Sequence, residues 1–373
     1  GRGPDGSYES YAEADVFEMW ADVARHYRLN PDMTDLSGYS MGGLGTWRLA
    51  GRWPDLFARA FPIVGPGTTA AFDESMRNIP VMAWFGQNDE LADPALSEAG
   101  FLTAQQAGIR YDHWVFAPAG HITIGNNDEF GPAVQFLGDH TVDRNPARVT
   151  YTYDPSLDPK GMSTANHAYW VSGLTLRDGG SGKVDVRSRG FGVGDPQPQP
   201  MKVSAGTLNG GSHGPLPYHR RTIDWGPAPT APKADELDLQ ATNLRTITVD
   251  APRAHVSCNP KVSLASDGPT DVVVTGCAAL LPARSACVDR RKFAFALHGR
   301  VVAAAVYVNG KRKLLRRGPR LRTVTLKRLP LGTFTVKIVA TQSGGSKRVS
   351  TRTYRGCTKA APTARRHRHR AAR

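Results

Sequence analysis

The chain has 373 residues, with 47 Lys and Arg against 33 Asp and Glu and a formal net charge of +14, a length that suits about two or three domains with sizeable cores. No apolar run approaches the ~20 residues of a transmembrane helix, and none of the four cysteines has the close spacing of a zinc site, so no transmembrane segment, metal or cofactor is expected. The charge is divided: residues 281–373 hold 25 Lys and Arg and one acid, Asp289, a net of +24, while the preceding 280 residues carry a net of −10.

The first element is a helix, marked by Val16, Met19, Trp20, Val23 and Tyr27. Next, "MTDLSGY" (Met33 to Tyr39) reads as a short strand, and "MGGLGTWRLAGRW" as a helix with Met41, Leu44, Trp47 and Leu49 at helical spacing. Between them lies Gly38-x-Ser40-x-Gly42, a pattern that lifts a serine hydroxyl out of a strained strand-to-helix turn. Gly38 and Gly42 are expected to lack the Cβ atoms that would collide there, and Gly43 to add room for the first helical turn. A glycine-rich loop with an incidental serine is the alternative, so the later elements decide.

"IPVMAWFGQNDE" (Ile79 to Glu90) is an apolar run broken at Gly86 that delivers Asp89 just past its end. It reads as a buried parallel strand. A helix follows, with Leu96, Ala99, Leu102 and Gln106 at helical spacing; then "YDHWVFAPAGH" repeats the arrangement, a strand ending before His121. Functional residues thus fall at the carboxyl ends of parallel strands, where open α/β sheets place their sites. A serine hydroxyl needs a base to take its proton, and a carboxylate to hold the imidazole in its useful tautomer. His121 and Asp89 are the candidates. Glu90 and Asp93 compete with Asp89 by position; His26, His113, His140 and Ser37 read as structural.

"SGYSMGGLGTWRLAGRWPDLFARAFPIVG", followed by "FGQNDE" and "AGH", resembles the α/β-hydrolases grouped as secreted esterases and predicted peptidases, near polyhydroxybutyrate-depolymerase-like and prolyl-oligopeptidase-like enzymes. The resemblance covers roughly residues 1–140 and follows the family order of nucleophile, acid and histidine. It implies Ser40 as nucleophile, Asp89 as acid, His121 as base and the Met41 N–H as one oxyanion-hole donor. Members normally have several strands before the first helix seen here, and those strands supply the second oxyanion donor. The chain opens at "GRGPDG" without an initiator methionine. It is therefore expected to be an N-terminally truncated piece, with weak activity and a tendency to aggregate.

The expected fold is α/β: the C-terminal part of an α/β-hydrolase (1–147), then a β-rich module (148–281), a basic, small immunoglobulin-like β-sandwich (282–358) and a disordered basic tail (359–373). Alternating runs such as "RVTYTY", "KVDVRSRGF" and "TNLRTITVD" mark the middle strands. Trp170, His213, Tyr218, His219 and Trp225 there admit two readings, the lining of a substrate surface or core and loop packing, and packing is expected because nothing orders them as a site. In the sandwich, "KFAFALHG", "VVAAAVYVNGKRK", "RLRTVTLKRL", "TFTVKIVATQ" and "RVSTRTY" are the strands, with Asn309-Gly310 as a type I′ hairpin signal. Of three possible cysteine pairings, Cys258–Cys277 and Cys287–Cys357 are favoured, and disulfides imply an oxidising, extracellular compartment. The functional expectation is a secreted serine hydrolase cleaving a small ester or, second, a peptide. A non-catalytic surface-binding protein is the other class, and the basic end is expected to hold anionic polymer or a cell surface weakly, without specific nucleic-acid recognition.

Overall fold

The computed structural model describes residues 7–67, 69–162, 164–277 and 292–356. They fall into two compact units, one made of the described residues within 7–256 and 262–271, the other of 257–261, 272–277 and 292–356. Among the described residues, no helix is long and apolar enough to cross a membrane.

The first unit opens with α1 (Tyr11–His26), β1 (Leu36–Tyr39), α2 (Met41–Arg52), β2 (Ala60–Ile63), α3 (Ala70–Ser75), β3 (Val81–Gly86), α4 (Pro94–Ala107) and β4 (Tyr111–Phe116). The four strands pair in parallel, in chain order. Every residue of β3 is buried, yet its side chains still divide by the period of two. Val81, Ala83 and Phe85 join Trp47, Trp53 and Phe101 on one face, while Met82 and Trp84 join Phe61, Trp114 and Phe116 on the other. Short helices α5 (Thr123–Asn127) and α6 (Gly131–Leu137) add Ile124 and Ala133 to that second face, and Phe130, just before α6, packs against it.

Helix faces depart from the sequence reading. On α4 the expected apolar stripe is exposed, Leu96 by 53% and Leu102 by 47%, and the buried residues are Ser97, Phe101 and Ala104. The cause is His113 on β4, whose Nε2 lies 3.3 Å from Ser97 Oγ and whose ring stacks on Phe101 at 4.8 Å. On α1 Met19 is exposed, as is Tyr27 just past its end, and Glu13 is buried. Glu13 meets Arg52 at the end of α2, whose Nη2 also donates to Asp158 at 2.9 Å, closing a buried ionic triad.

Next come β5 (Arg148–Tyr153), β6 (Val171–Leu176), β7 (Gly182–Ser188), β8 (Lys202–Leu208), β9 (Leu216–Ile223), β10 (Glu236–Thr242), β11 (Leu244–Asp250) and β12 (Lys261–Ser266). β9 pairs antiparallel with β4 from Tyr111↔Ile223 to Phe116↔Tyr218, and β8 pairs antiparallel with β9. The 148–281 segment, expected as a module of its own, thus lends two strands to the parallel sheet. Long-range contacts fix the pairing: Arg220 forks onto Asp112 at 2.7 and 2.8 Å, and Tyr218 lies 4.2 Å from the Trp114 ring. The remaining strands make a four-stranded sheet, β12-β10-β7-β5, and an antiparallel β6–β11 pair.

The second unit holds β14 (Phe293–Val308), β15 (Lys311–Leu326), β16 (Gly332–Gln342), β17 (Lys347–Gly356) and, from Val272 on, β13 (Asp271–Thr275), whose first residue belongs to the first unit. Asn309 and Gly310 have φ of 49° and 76°, both positive as a type I′ turn requires. Runs expected as separate short strands are continuous: "KFAFALHG" and "VVAAAVYV" make one strand that bends at Gly299, φ 88°. After the bend the hairpin folds back over the sheet. Phe295 lies 6.3 Å from Tyr354, which pairs with Phe334, at the far end of β16 from the Gln342 that faces Val301. One bent hairpin therefore builds two layers around Phe295, Val324, Phe334 and Ile338. Cys258 and Cys277 form a disulfide in this unit, whereas Cys287, Cys357 and the basic tail lie outside the described residues.

Candidate active site

β1 ends at Tyr39 and α2 begins at Met41, so Ser40 occupies the turn between them with φ 57° and ψ −116°. Positive φ is uncommon outside glycine. It is held by the Ser40 N–H donating to the Ile63 carbonyl at 2.9 Å, and by close backbone contacts. A Cβ on Gly38 would stand 2.2 Å from the Gly42 oxygen, and one on Gly43 would stand 2.5 Å from the Ile63 oxygen. At Gly42 a Cβ would meet only the Tyr8 hydroxyl at 3.8 Å. The crowded positions are therefore Gly38 and Gly43; the expected need for glycine at position 42 does not arise from crowding. Val64, at the end of β2, also has positive φ, 42°, a strained state for a β-branched residue.

Three side chains from three strand ends meet here. His121 Nε2 lies 2.7 Å from Ser40 Oγ, and His121 Nδ1 lies 2.9 Å from both carboxylate oxygens of Asp89. Asp89 and His121 are buried. The Asp89 carboxylate is fixed in turn by the N–H groups of Leu91 and Ala92, at 2.9 and 2.7 Å. A hydroxyl, an imidazole and a carboxylate in this row can move the serine proton onto the ring and stabilise the resulting cation.

The competing acids have other partners. Glu90 accepts the main-chain N–H of His121 at 3.0 Å, a bond that holds its carboxyl below the ordinary range. Asp93 caps α4 by accepting from Ala95 N at 2.9 Å. Among the histidines, His113 is buried and pushed down to about 3, by desolvation first and by the neighbouring Arg221 second. His26 is exposed on α1, and Ser37 Oγ donates to the Phe61 carbonyl. Trp170, Tyr218 and Trp225 make packing or main-chain contacts.

Two roles at the site escape the sequence reading. Tyr39 donates its hydroxyl proton to the His121 carbonyl and accepts the Gly125 N–H at 3.2 Å. With Glu90 on the N–H side, both main-chain polar groups of His121 are held. The available signal was adjacency: Tyr39 precedes Ser40 and Glu90 follows Asp89. Met41 heads α2, where the first N–H groups of a helix have no intrahelical acceptor. Its side chain is exposed, as are those of Ile122 beside His121 and Leu91 beyond Asp89.

No family model and no curated protein matches the chain. Among solved structures it is similar to the crystal structure of a thermostable esterase, at 22% identity and a TM-score of 0.32, covering 35% of this chain and 37% of that one. The chain thus spans little more than a third of that esterase's length. It is also similar to the fibronectin(III)-like modules of Clostridium thermocellum CbhA, at 8% identity and a TM-score of 0.18 over 21% of this chain and 94% of that one. A third likeness is to the central fibronectin-III array of RIM-binding protein, at 13% identity and a TM-score of 0.17 over 52% and 70%. Likenesses this low carry no argument about chemistry; the distances above do.

Proposed function

We propose that the chain carries the active site of an α/β-hydrolase that cleaves carboxylic esters through an acyl-enzyme. The carrying observation is the unbroken row Ser40 Oγ, His121 Nε2, His121 Nδ1, Asp89 at 2.7 to 2.9 Å. Ser40 attacks the substrate carbonyl as His121 takes its proton; His121 then returns that proton to the leaving alcohol, and water releases the acyl group by the same route. Asp89 keeps the Nδ1 proton in place and stabilises the imidazolium. The Met41 N–H at the head of α2 is one donor to the oxyanion, where preorganised N–H groups contribute most.

The preference for esters over peptide bonds rests on the resemblance of "SGYSMGG" to the secreted esterases; the exposed side chains of Met41, Leu91 and Ile122, each next to or near a residue of the row in sequence, are compatible with an alkyl or acyl chain. Secretion is part of the proposal, supported by the Cys258–Cys277 disulfide. The test is labelling of the protein with a fluorophosphonate probe, alongside turnover of short-chain p-nitrophenyl esters. Ser40→Ala removes both, and Asp89→Asn lowers turnover by orders of magnitude while Asp93→Asn does not. Labelling that persists in the Ser40→Ala protein overturns the assignment.

A further inference from the structure

We propose that the outer edge of β15 is a docking surface for a linear phosphodiester polymer that carries no bases, such as a polyol-phosphate chain. β15 is the end strand of its sheet among the described residues. From Lys311 to Arg328 the sequence places nine Lys or Arg and no acid, and all nine side chains are exposed. No ion pair engages any of them among the described residues. Across the described residues of the whole second unit there are 17 Lys and Arg and not one Asp or Glu. Protecting a sheet edge from self-association takes only a few charges, and self-repulsion on this scale destabilises a compact unit. A bound polyanion relieves it.

The geometry suits an extended ligand. Lys311 to Arg320 covers about 30 Å of strand at ~3.3 Å per residue, and side chains two apart on one face stand about 6.6 Å from each other. Lys311 and Lys313, and Arg320 and Arg322, are two apart in sequence, whereas Arg312, Arg316 and Arg320 are four apart, about 13 Å along a strand; a flexible polyol-phosphate chain can set successive or alternate phosphates against such a row. Arg316 and Arg317 lie opposite Ala304 and Ala303 on β14, so small neighbours leave the guanidinium groups uncovered. Six of the nine cations are arginine, whose planar fork pairs two N–H groups with one phosphate. Nucleic acid is disfavoured on two counts. Single-strand binders stack bases on several aromatic rings, and Tyr307 is the one aromatic between residues 299 and 328. The Cys258–Cys277 disulfide of the same unit also belongs to an oxidising compartment.

The experiment titrates the protein with poly(glycerol phosphate) at about 0.15 M salt. Arg312, Arg316, Arg317 and Arg320 are changed together to Gln in one variant and to Lys in another. A control variant removes four exposed cations elsewhere in the unit, Lys292, Arg300, Lys337 and Arg355, also as Gln. The β15 Gln variant is expected to bind about tenfold or more weakly and the control less than about threefold, with the salt dependence reduced in the former. The Lys variant falls between, and thermal melts of all three match the parent. Equal losses in the Gln variant and control mean that net charge alone binds, and overturn the proposal. Parent-like binding by the Lys variant overturns the fork argument. Absence of binding, or equal affinity for heparin or duplex DNA, overturns the assigned polymer.

Discussion

Tyr39 donates its hydroxyl proton to the main-chain carbonyl of His121, so the residue preceding the proposed nucleophile braces the proposed base. Glu90, which follows Asp89, holds the N–H of the same histidine. Tyr39→Phe and Glu90→Ala are each expected to lower kcat about tenfold with little change in KM, the scale of one hydrogen bond lost in the transition state. Glu90→Gln keeps an acceptor oxygen and retains most of the rate. Steady-state ester kinetics check this; a rise in KM at constant kcat would place both residues in substrate binding instead.

Gly42 belongs to the pentapeptide pattern, yet its Cβ position is open, whereas Gly38 and Gly43 face backbone at 2.2 and 2.5 Å. Gly42→Ala is therefore expected to keep the fold and to stabilise it by about 0.5–1 kcal/mol, because alanine loses less backbone entropy in a helix. Gly38→Ala and Gly43→Ala are expected to destabilise the elbow and abolish probe labelling. Urea denaturation of the three variants separates the cases, and a Gly42→Ala protein less stable than its parent would refute the assignment of crowding.

Asp73 on α3 is fully buried, and neither of its carboxylate oxygens has a hydrogen-bond partner. Desolvation raises its pKa from 3.8 to about 8, with Glu74 adding a smaller push in the same direction. Between those values the folded chain holds a proton that the unfolded chain has released, so raising the pH erodes stability, by up to about 1.4 kcal/mol per pH unit. The loss levels off above about pH 8. Asp73→Asn is expected to flatten this part of the profile and to be more stable than the parent at the alkaline end. Urea midpoints measured at steps from pH 5 to pH 8.5 test it; a slope unchanged by the substitution would assign the pH dependence to other groups.

The positions of Ser40, Asp89 and His121 were legible because each lies within a few residues of its own strand's end, where local pattern suffices. Leu96 and Leu102 misled because hydrophobic spacing identifies a helix without saying which side meets the sheet; Ser97 and Phe101 face inward because His113 awaits them on β4. Glu13 and Arg52 were unreadable for a related reason: each is an ordinary surface residue until the other, 39 positions away, neutralises it. The Asn309-Gly310 turn was readable from two residues, while the bend at Gly299 that doubles the hairpin over depends on the layer it covers.

The pairing of β4 with β9 sets the order in which the protein can assemble as it is synthesised. Tyr111 meets Ile223 and Phe116 meets Tyr218, so the strand leading to His121 gains its second neighbour only after roughly a hundred further residues have left the ribosome. Contacts this distant in sequence are slow to close, because loop entropy must be overcome before they stabilise anything. Until then the edge of β4 stays open to foreign strands. The nascent chain is therefore most vulnerable to wrong partners during translation of the segment between His121 and β9, and a chaperone that shields a strand edge would be most useful to it in that interval.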